Sequence, residues 1–319
     1  MEYNNLKILE AFDINSLPNL DVVVLGALEL FSKERLPEYN VENICSKPLV
    51  VGSANAYSVG RILFRNTEAR FSEEGDFEEN IKTFSDIGCV VIVSASGGKH
   101  AVGIAKKMSE NKVGKTYNLD TWLLTNNKDA PAKEFIDKDN VIIFPKNREP
   151  YTYNTSTYLS MIISQTKENP EEIYSHIDNI KKYIPQDLGR YSAFILTVSS
   201  EFDEVRSMFR TKFDELFGGN VVGRVFTDEE IKHAKTVVPS DKELIIHFGN
   251  NKEDYYLEKE DSVYIPLSES ASYGEMLSVG YFVIGKIQEA HPAYFKENIV
   301  EYTKDASEIF NQTINPIVE

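Results

Sequence analysis

Val90–Met108 reads V-V-I-V-S-A-S-G-G-K-H-A-V-G-I-A-K-K-M, and the fold follows from it. Cys89–Val93 is a continuous apolar run rich in β-branched residues. A run that short, with no polar alternation, is a strand buried on both faces, as in a parallel sheet. Ser94–Gly98 breaks it with small residues. From about Lys99 the apolar positions fall at Ala101, Val102, Ala105 and Met108, which is helical spacing. Lys106 and Lys107 lie in the last turns, where positive charge suits the helix dipole. The stretch is therefore strand, Ser/Gly turn, helix. Such a turn gathers hydroxyls and backbone N–H groups at the positive end of a helix, where an anion such as phosphate binds.

The flanking sequence repeats this plan. Leu20–Leu36 reads as a helix. Pro48–Gly52 is a strand entering a second small-residue turn, Gly52-Ser53-Ala54-Asn55-Ala56, and a helix is expected over Tyr57–Arg65. The acidic stretch Glu68–Asn80 reads as a loop and the start of a helix. Thr121–Thr125 and Val141–Phe144 are further strands. The third strand ends in the turn residues Asn126–Asp129, and a helix is expected over Asn154–Gln165. Asn169-Pro170-Glu171-Glu172 is a helix start, and Ile173, Ile177, Ile180 and Ile184 form that helix's apolar stripe. Strands alternating with helices predict α/β architecture with parallel sheets.

Beyond this helix the order of elements recurs. Ala193–Ser200 with Glu201–Phe217, Glu243–Gly249, and Val263–Leu267 with Tyr273–Glu289 mirror the first half, so a duplicated α/β unit is expected. The expected fold is two three-layer α/β/α domains. Residues 1–168 hold an N-terminal helix and the first domain, 169–190 a helical linker, and 191–319 a second, degenerate domain with C-terminal helices. Asn250-Asn-Lys-Glu-Asp254 replaces the Ser/Gly turn in the second half, and its two carboxylates would repel phosphate. One phosphate site, in the first half, is expected.

The 319 residues carry a formal charge of −16, with no cluster of Lys and Arg, which argues against nucleic acid and against anionic membrane as partners. A small anion is still compatible, because helix ends and one or two lysines hold phosphate on an acidic protein. Cys45 and Cys89 are the only cysteines, and Cys89 falls in a strand read as buried. No disulfide framework is expected, and a reducing cytoplasm fits. No Cys/His cluster suggests a metal, no apolar run reaches transmembrane length, and the polar M-E-Y-N-N start lacks the order of a signal peptide.

Gly52-Ser53-Ala54-Asn55, Val93-Ser94-Ala95-Ser96-Gly97-Gly98-Lys99, the third strand with its Asn turn, and Glu149 ahead of Asn154-Thr155-Ser156 resemble a SIS (sugar isomerase) domain. Two copies joined by a helical linker resemble the isomerase half of glucosamine-6-phosphate synthase and the bifunctional phosphoglucose/phosphomannose isomerases. The resemblance implies a cytoplasmic homodimer that needs no cofactor and binds a phosphorylated sugar. It implies an aldose–ketose isomerase, or a deaminating isomerase, acting on a hexose phosphate or amino-sugar phosphate. Carried over by motif, Ser53, Asn55, Ser94, Ser96, Gly97 and Gly98 match phosphate-binding positions. Lys99 stands where the family has threonine, and as a point charge it can still meet a phosphate. Gly52, His100, Glu149 and Thr155 are secondary substrate-binding candidates.

Isomerisation needs a group that opens the sugar ring, a carboxylate that moves a proton between C1 and C2, and positive charge or hydrogen-bond donors for the enediolate. The resemblance assigns these to Lys212-Phe-Asp-Glu215 and Glu230-Ile-Lys-His233. Glu215 is the expected proton shuttle, His233 the ring opener, and Lys212 the stabiliser of negative charge. Lys212 and Glu215, three apart, share a helix face. The bland readings stay open beside these: an ordinary connector for the serine turn, a solvated face for the Lys/Glu pair, and an exposed histidine in a charged helix. A non-catalytic phosphosugar sensor is the alternative function.

Overall fold

The computed structural model describes residues 2–110, 119–249 and 261–319. Two helices come first, α1 (Asn4–Ala11) and α2 (Leu20–Lys33). They are followed by β1 (Pro48–Val51), α3 (Asn55–Leu63), β2 (Arg70–Ser72), α4 (Phe77–Thr83), β3 (Cys89–Val93) and α5 (Lys99–Ser109). Next are β4 (Asp120–Thr125), β5 (Val141–Ile143), β6 (Glu149–Pro150), α6 (Thr155–Thr166), α7 (Pro170–Ile180), β7 (Ala193–Val198) and α8 (Val205–Phe217). The last described elements are β8 (Val222–Thr227), α9 (Asp228–Ile231), β9 (Glu243–Gly249), β10 (Ser262–Pro266), α10 (Tyr273–Ala290), α11 (Tyr294–Phe310) and β11 (Ile317–Val318). The Asn250–Asp254 segment lies outside the described residues. No helix among those described is long and apolar enough to cross a membrane.

The chain divides into two compact units. The first-sheet unit comprises Glu34–Lys146 and Ser160–Lys167. Its sheet is parallel throughout, in the order β2-β1-β3-β4-β5. Every residue of β1 and β3 is buried, as expected for strands covered on both faces. Leu49, Val51, Val90, Ile92 and Leu123 meet Phe77, Ile81, Ala101, Ile104 and Met108 in one core. The short strand β2 falls inside the Glu68–Asn80 stretch expected to be a loop. It is a partly exposed edge strand with the sequence R-F-S, so no apolar run announces it.

A correction concerns the cysteines. Cys45 and Cys89 are joined in a disulfide, with Cα atoms 6.3 Å apart at a sequence separation of 44. Burial of Cys89 at the start of β3 is compatible with the bond because Cys45, just ahead of β1, reaches it from the neighbouring chain segment. The argument from free thiols for a reducing cytoplasm goes with it.

The second-sheet unit comprises Met1–Lys33, Asn147–Leu159 and Glu168–Glu319. Its four strands are parallel in the order β10-β9-β7-β8. Helix α10 is buried nearly all round, as a helix apolar on every side must be. It packs against α2, α7 and α8, so the N-terminal helices group with this sheet. Helix α7 starts as expected, with Asn169 capping it by accepting from the Glu171 amide at 2.9 Å. The tail strand β11 pairs antiparallel with β6, Ile317 opposite Pro150 and Val318 opposite Glu149. Strand β8 was also missed. V-G-R-V-F-T is an edge strand with a glycine, an arginine and an exposed first valine.

Candidate functional site

The candidate residues form two groups, one in each unit. In the first-sheet unit the chain lays β2 on one side of β1 and β3 on the other. In an open parallel sheet this reversal opens a crevice at the carboxyl ends of the two strands, where ligands bind. The turns that flank it are the two serine turns. Helices α3 and α5 begin there, and no side chain caps either one. At some other helix starts carboxylate or polar side chains accept from the free amides: Glu168 at α10, Thr227 at α9 and Glu149 at α6. The starts of α3 and α5 lack such a group and stand at the carboxyl ends of β1 and β3, which suits them to an external anion.

Within the second turn the Gly97 amide donates to Ser94 Oγ and the Gly98 amide to Ser96 Oγ, each at 3.2 Å. Those two amides thus serve the turn itself, and the serine hydroxyls, which still carry a hydrogen to donate, are the groups suited to a phosphate. Gly97 has φ +57°, and a Cβ there would lie 2.5 Å from Ala130 Cβ, so only glycine fits. The Asn turn braces the serines from behind. Asn127 Nδ2 donates to Ser96 O at 3.0 Å and Thr125 Oγ1 to Ala95 O at 3.0 Å. In the first turn Ser53 is exposed and Asn55 buried. Gly52 allows close approach, because a Cβ would sit 2.7 Å from the Ala56 carbonyl carbon. Ser94 is half-buried, whereas Ser96, Lys99 and His100 are exposed. His100 pairs with Glu74.

In the second-sheet unit, α8 buries the apolar stripe Val205, Phe209, Phe213 and Leu216, and it buries Lys212 as well. The Lys212 side chain is 0% exposed and that of Glu215 is 23% exposed. Lys212 Nζ donates to Glu215 Oε2 at 2.5 Å and to the Thr152 carbonyl at 2.7 Å, and it lies 5.7 Å from the centre of the Tyr281 ring. A lysine without access to water is stable there because its charge is paired and its protons are bonded. Burial pushes the Glu215 carboxyl above its ordinary value, Lys212 draws it back, and Asp214 adds to the rise. Glu215 lines a cavity of about 480 Å³ with Thr152, Asp214, Tyr294, Asn298 and Tyr302 among its other walls.

The structure does not bring His233 to this pair. Glu215 lies near the end of α8, just ahead of the start of β8, whereas His233 follows the far end of β8 in an exposed turn. The six residues of β8 span about 20 Å. Glu149 and Thr155 do not face a ligand either. Glu149 is 3% exposed and accepts from the Thr155 and Ser156 amides at 2.6 Å each, and from the Ser156 hydroxyl. Thr155 is fully buried. The two close the start of α6 against each other. Full burial of Lys212 also changes its part: its ammonium reaches Glu215 rather than a sugar.

Sequence reading missed Thr152 and the wall formed by α11. Tyr294, Asn298 and Tyr302 recur every four residues, a helix-face signal that was available. Thr152 gave no such signal, because its φ of +74° is rare for a β-branched residue.

No family model and no curated protein sequence matches the chain. Solved structures do resemble it. Glucosamine-6-phosphate deaminase from Thermotoga maritima has a TM-score of 0.61 at 17% identity, over 84% of this chain and 92% of that one. The C-terminal domain of glucosamine-fructose-6-phosphate aminotransferase from Francisella tularensis has a TM-score of 0.62 at 9% identity, over 90% and 99%. Tagatose-6-phosphate ketose/aldose isomerase from Escherichia coli has a TM-score of 0.56 at 11% identity, over 85% and 90%. At these identities the likeness is one of fold, and the chain has the SIS-type α/β fold.

Proposed function

We propose that the chain is a phosphosugar aldose–ketose isomerase or deaminating isomerase, acting on a hexose phosphate or amino-sugar phosphate. The observation that carries this reading is Glu215: a carboxylate on a cavity wall, raised by burial and held by a buried lysine. A carboxylate raised above its ordinary range is better suited to accept a proton and give it back. In this reading the serine hydroxyls take the phosphate. Glu215 removes the proton from C2 of the open-chain aldose. The C2–H electron pair becomes the C1–C2 double bond, and the carbonyl pair moves onto O1, giving an enediolate. A proton returns from Glu215 to C1, the O2 hydrogen passes to O1, and O2 becomes the new carbonyl oxygen, giving the ketose with a hydroxyl at C1. Lys212 acts through Glu215, fixing its orientation and moderating its pKa. A homodimeric assembly comes with the reading and rests on the family resemblance.

One observation favours a second reading, a phosphosugar sensor without turnover: His233, the expected ring opener, is about one strand length from Glu215. Proton exchange between C1 and C2 in deuterated water, followed by NMR on a panel of hexose and amino-sugar phosphates, separates the two. The isomerase reading expects exchange in the native protein, and loss of it by at least a hundredfold, on the order expected for a missing acid–base group, in Glu215→Gln with binding kept. Binding with no exchange on any member of the panel selects the sensor.

A further inference from the structure

The Lys212–Glu215 pair has a neighbour with an unmet requirement. Thr152 is a wall residue of the cavity and is 7% exposed, and its Oγ1 is closed off from solvent with no hydrogen-bond partner. Its backbone is equally unusual. At φ +74° a β-branched side chain crowds its own chain, and Asn154, two residues on, is also left-handed at +46°. The loop is held in this shape from both sides. The Tyr151 amide donates to Pro316 O at 2.8 Å, next to the β6–β11 ladder. The fully buried Tyr153 donates its hydroxyl hydrogen to Pro18 O at 3.1 Å and accepts from Gln288 Nε2 at 2.9 Å. In return the strained residue aims its carbonyl at Lys212.

The carbonyl explains the backbone but leaves the side chain unexplained. Any residue would supply the same carbonyl, and glycine or asparagine would do so with less strain. An unsatisfied hydroxyl destabilises the site it occupies, and valine would fill the same volume without that defect. A different staggered rotamer about the Cα–Cβ bond redirects the hydroxyl without any movement of the surrounding loop.

We propose that Thr152 is a substrate-binding residue: its hydroxyl turns into the cavity to hydrogen-bond a hydroxyl or amino substituent of the sugar beside the carbons between which Glu215 moves a proton. This inference rests on the phosphosugar reading above and deepens it, because it assigns the recognition of one sugar substituent to one side chain. The cavity's charged walls support a neutral or cationic substituent over an anionic one. Asp214 and Glu215 are both acidic, and Lys212 is committed to Glu215 and Thr152.

The test compares Thr152→Val and Thr152→Ser with the native chain, by thermal unfolding without ligand and by calorimetric titration with fructose 6-phosphate and glucosamine 6-phosphate. The expected result is an unliganded Tm for Thr152→Val equal to or above that of the native chain. Its affinity for the better of the two sugars should fall about tenfold, the worth of one hydrogen bond, and Thr152→Ser should restore it. A Tm several degrees lower in Thr152→Val would show that the hydroxyl serves the fold, and native affinity in that variant would show that it does not meet the sugar. Either outcome overturns the inference and leaves the phosphosugar reading standing. If neither sugar phosphate binds the native chain, the reading falls and the inference with it.

Discussion

Lys212 is the residue on which the chemistry of the second-sheet unit turns. Its burial was not legible, because Lys-x-x-Glu on a helix is most often surface decoration and the sequence does not tell which face meets the core. The resemblance singled the pair out, and packing shows why it stands apart from an ordinary i,i+3 pair. Since Lys212 lowers the Glu215 carboxyl while burial raises it, Lys212→Met should move the acid limb of the pH–rate profile to higher pH. Stability gives an independent reading. A carboxyl whose folded pKa lies above its unfolded value loses stability as pH rises from the ordinary carboxylate range through the raised value. Glu215→Gln has no such loss. The difference in Tm between Glu215→Gln and the native chain should therefore grow in the variant's favour over that window, and a flat difference would mean Glu215 titrates normally. His233 shows the limit of reading by motif: the segment Glu230-Ile-Lys-His233 resembles the family's, but a whole strand intervenes between it and Glu215 in space.

At the scale of elements, the buried strands were the legible ones. Cys89–Val93 and the apolar run inside Glu243–Gly249 announce themselves because strands covered on both faces are dominated by apolar residues. Arg70–Ser72 and Val222–Thr227 were missed because edge strands are free to carry polar residues. The serine turns were legible in composition, but which groups remain for a ligand was not, since Ser94 and Ser96 engage the Gly97 and Gly98 amides. Replacing both serines by alanine should weaken sugar-phosphate binding by about 2–4 kcal/mol, measured by titration calorimetry. The disulfide gives a test of a different kind. It closes a 44-residue loop, and loss of such a crosslink costs about 4 kcal/mol through the unfolded chain. Cys45→Ser, or reduction, should lower the Tm of the first-sheet unit, and a thiol titration of the native chain should find none free before unfolding.

At the scale of the molecule, α/β class and parallel sheets were legible from the alternation of strand and helix, and the strand orders add what alternation cannot supply. Each sheet grows to both sides of its first strand, β1 in one and β7 in the other. The partition of the chain was less legible. A linear reading assigns each stretch to its sequence neighbours, but α2 buries Leu20, Val23, Val24 and Leu28 in the unit that contains α10. Removing residues 2–33 should therefore leave the side of α10 against which α2 packs open to solvent. Dye binding to exposed apolar surface, and aggregation on mild heating, should both increase. Unchanged solubility would mean that α10 does not need this cover.

The same partition sets an order of events during synthesis. A ribosome releases α1 and α2 first, yet α10, which packs against α2, leaves the exit tunnel some 240 residues later, about 12–50 seconds at ordinary elongation rates. In that interval the first-sheet unit can complete its five strands while the leading helices wait with their apolar faces uncovered. Newborn chains halted after residue 170 should thus be recognised by holdase chaperones through their first 33 residues, and release should come only once Tyr273–Ala290 has emerged.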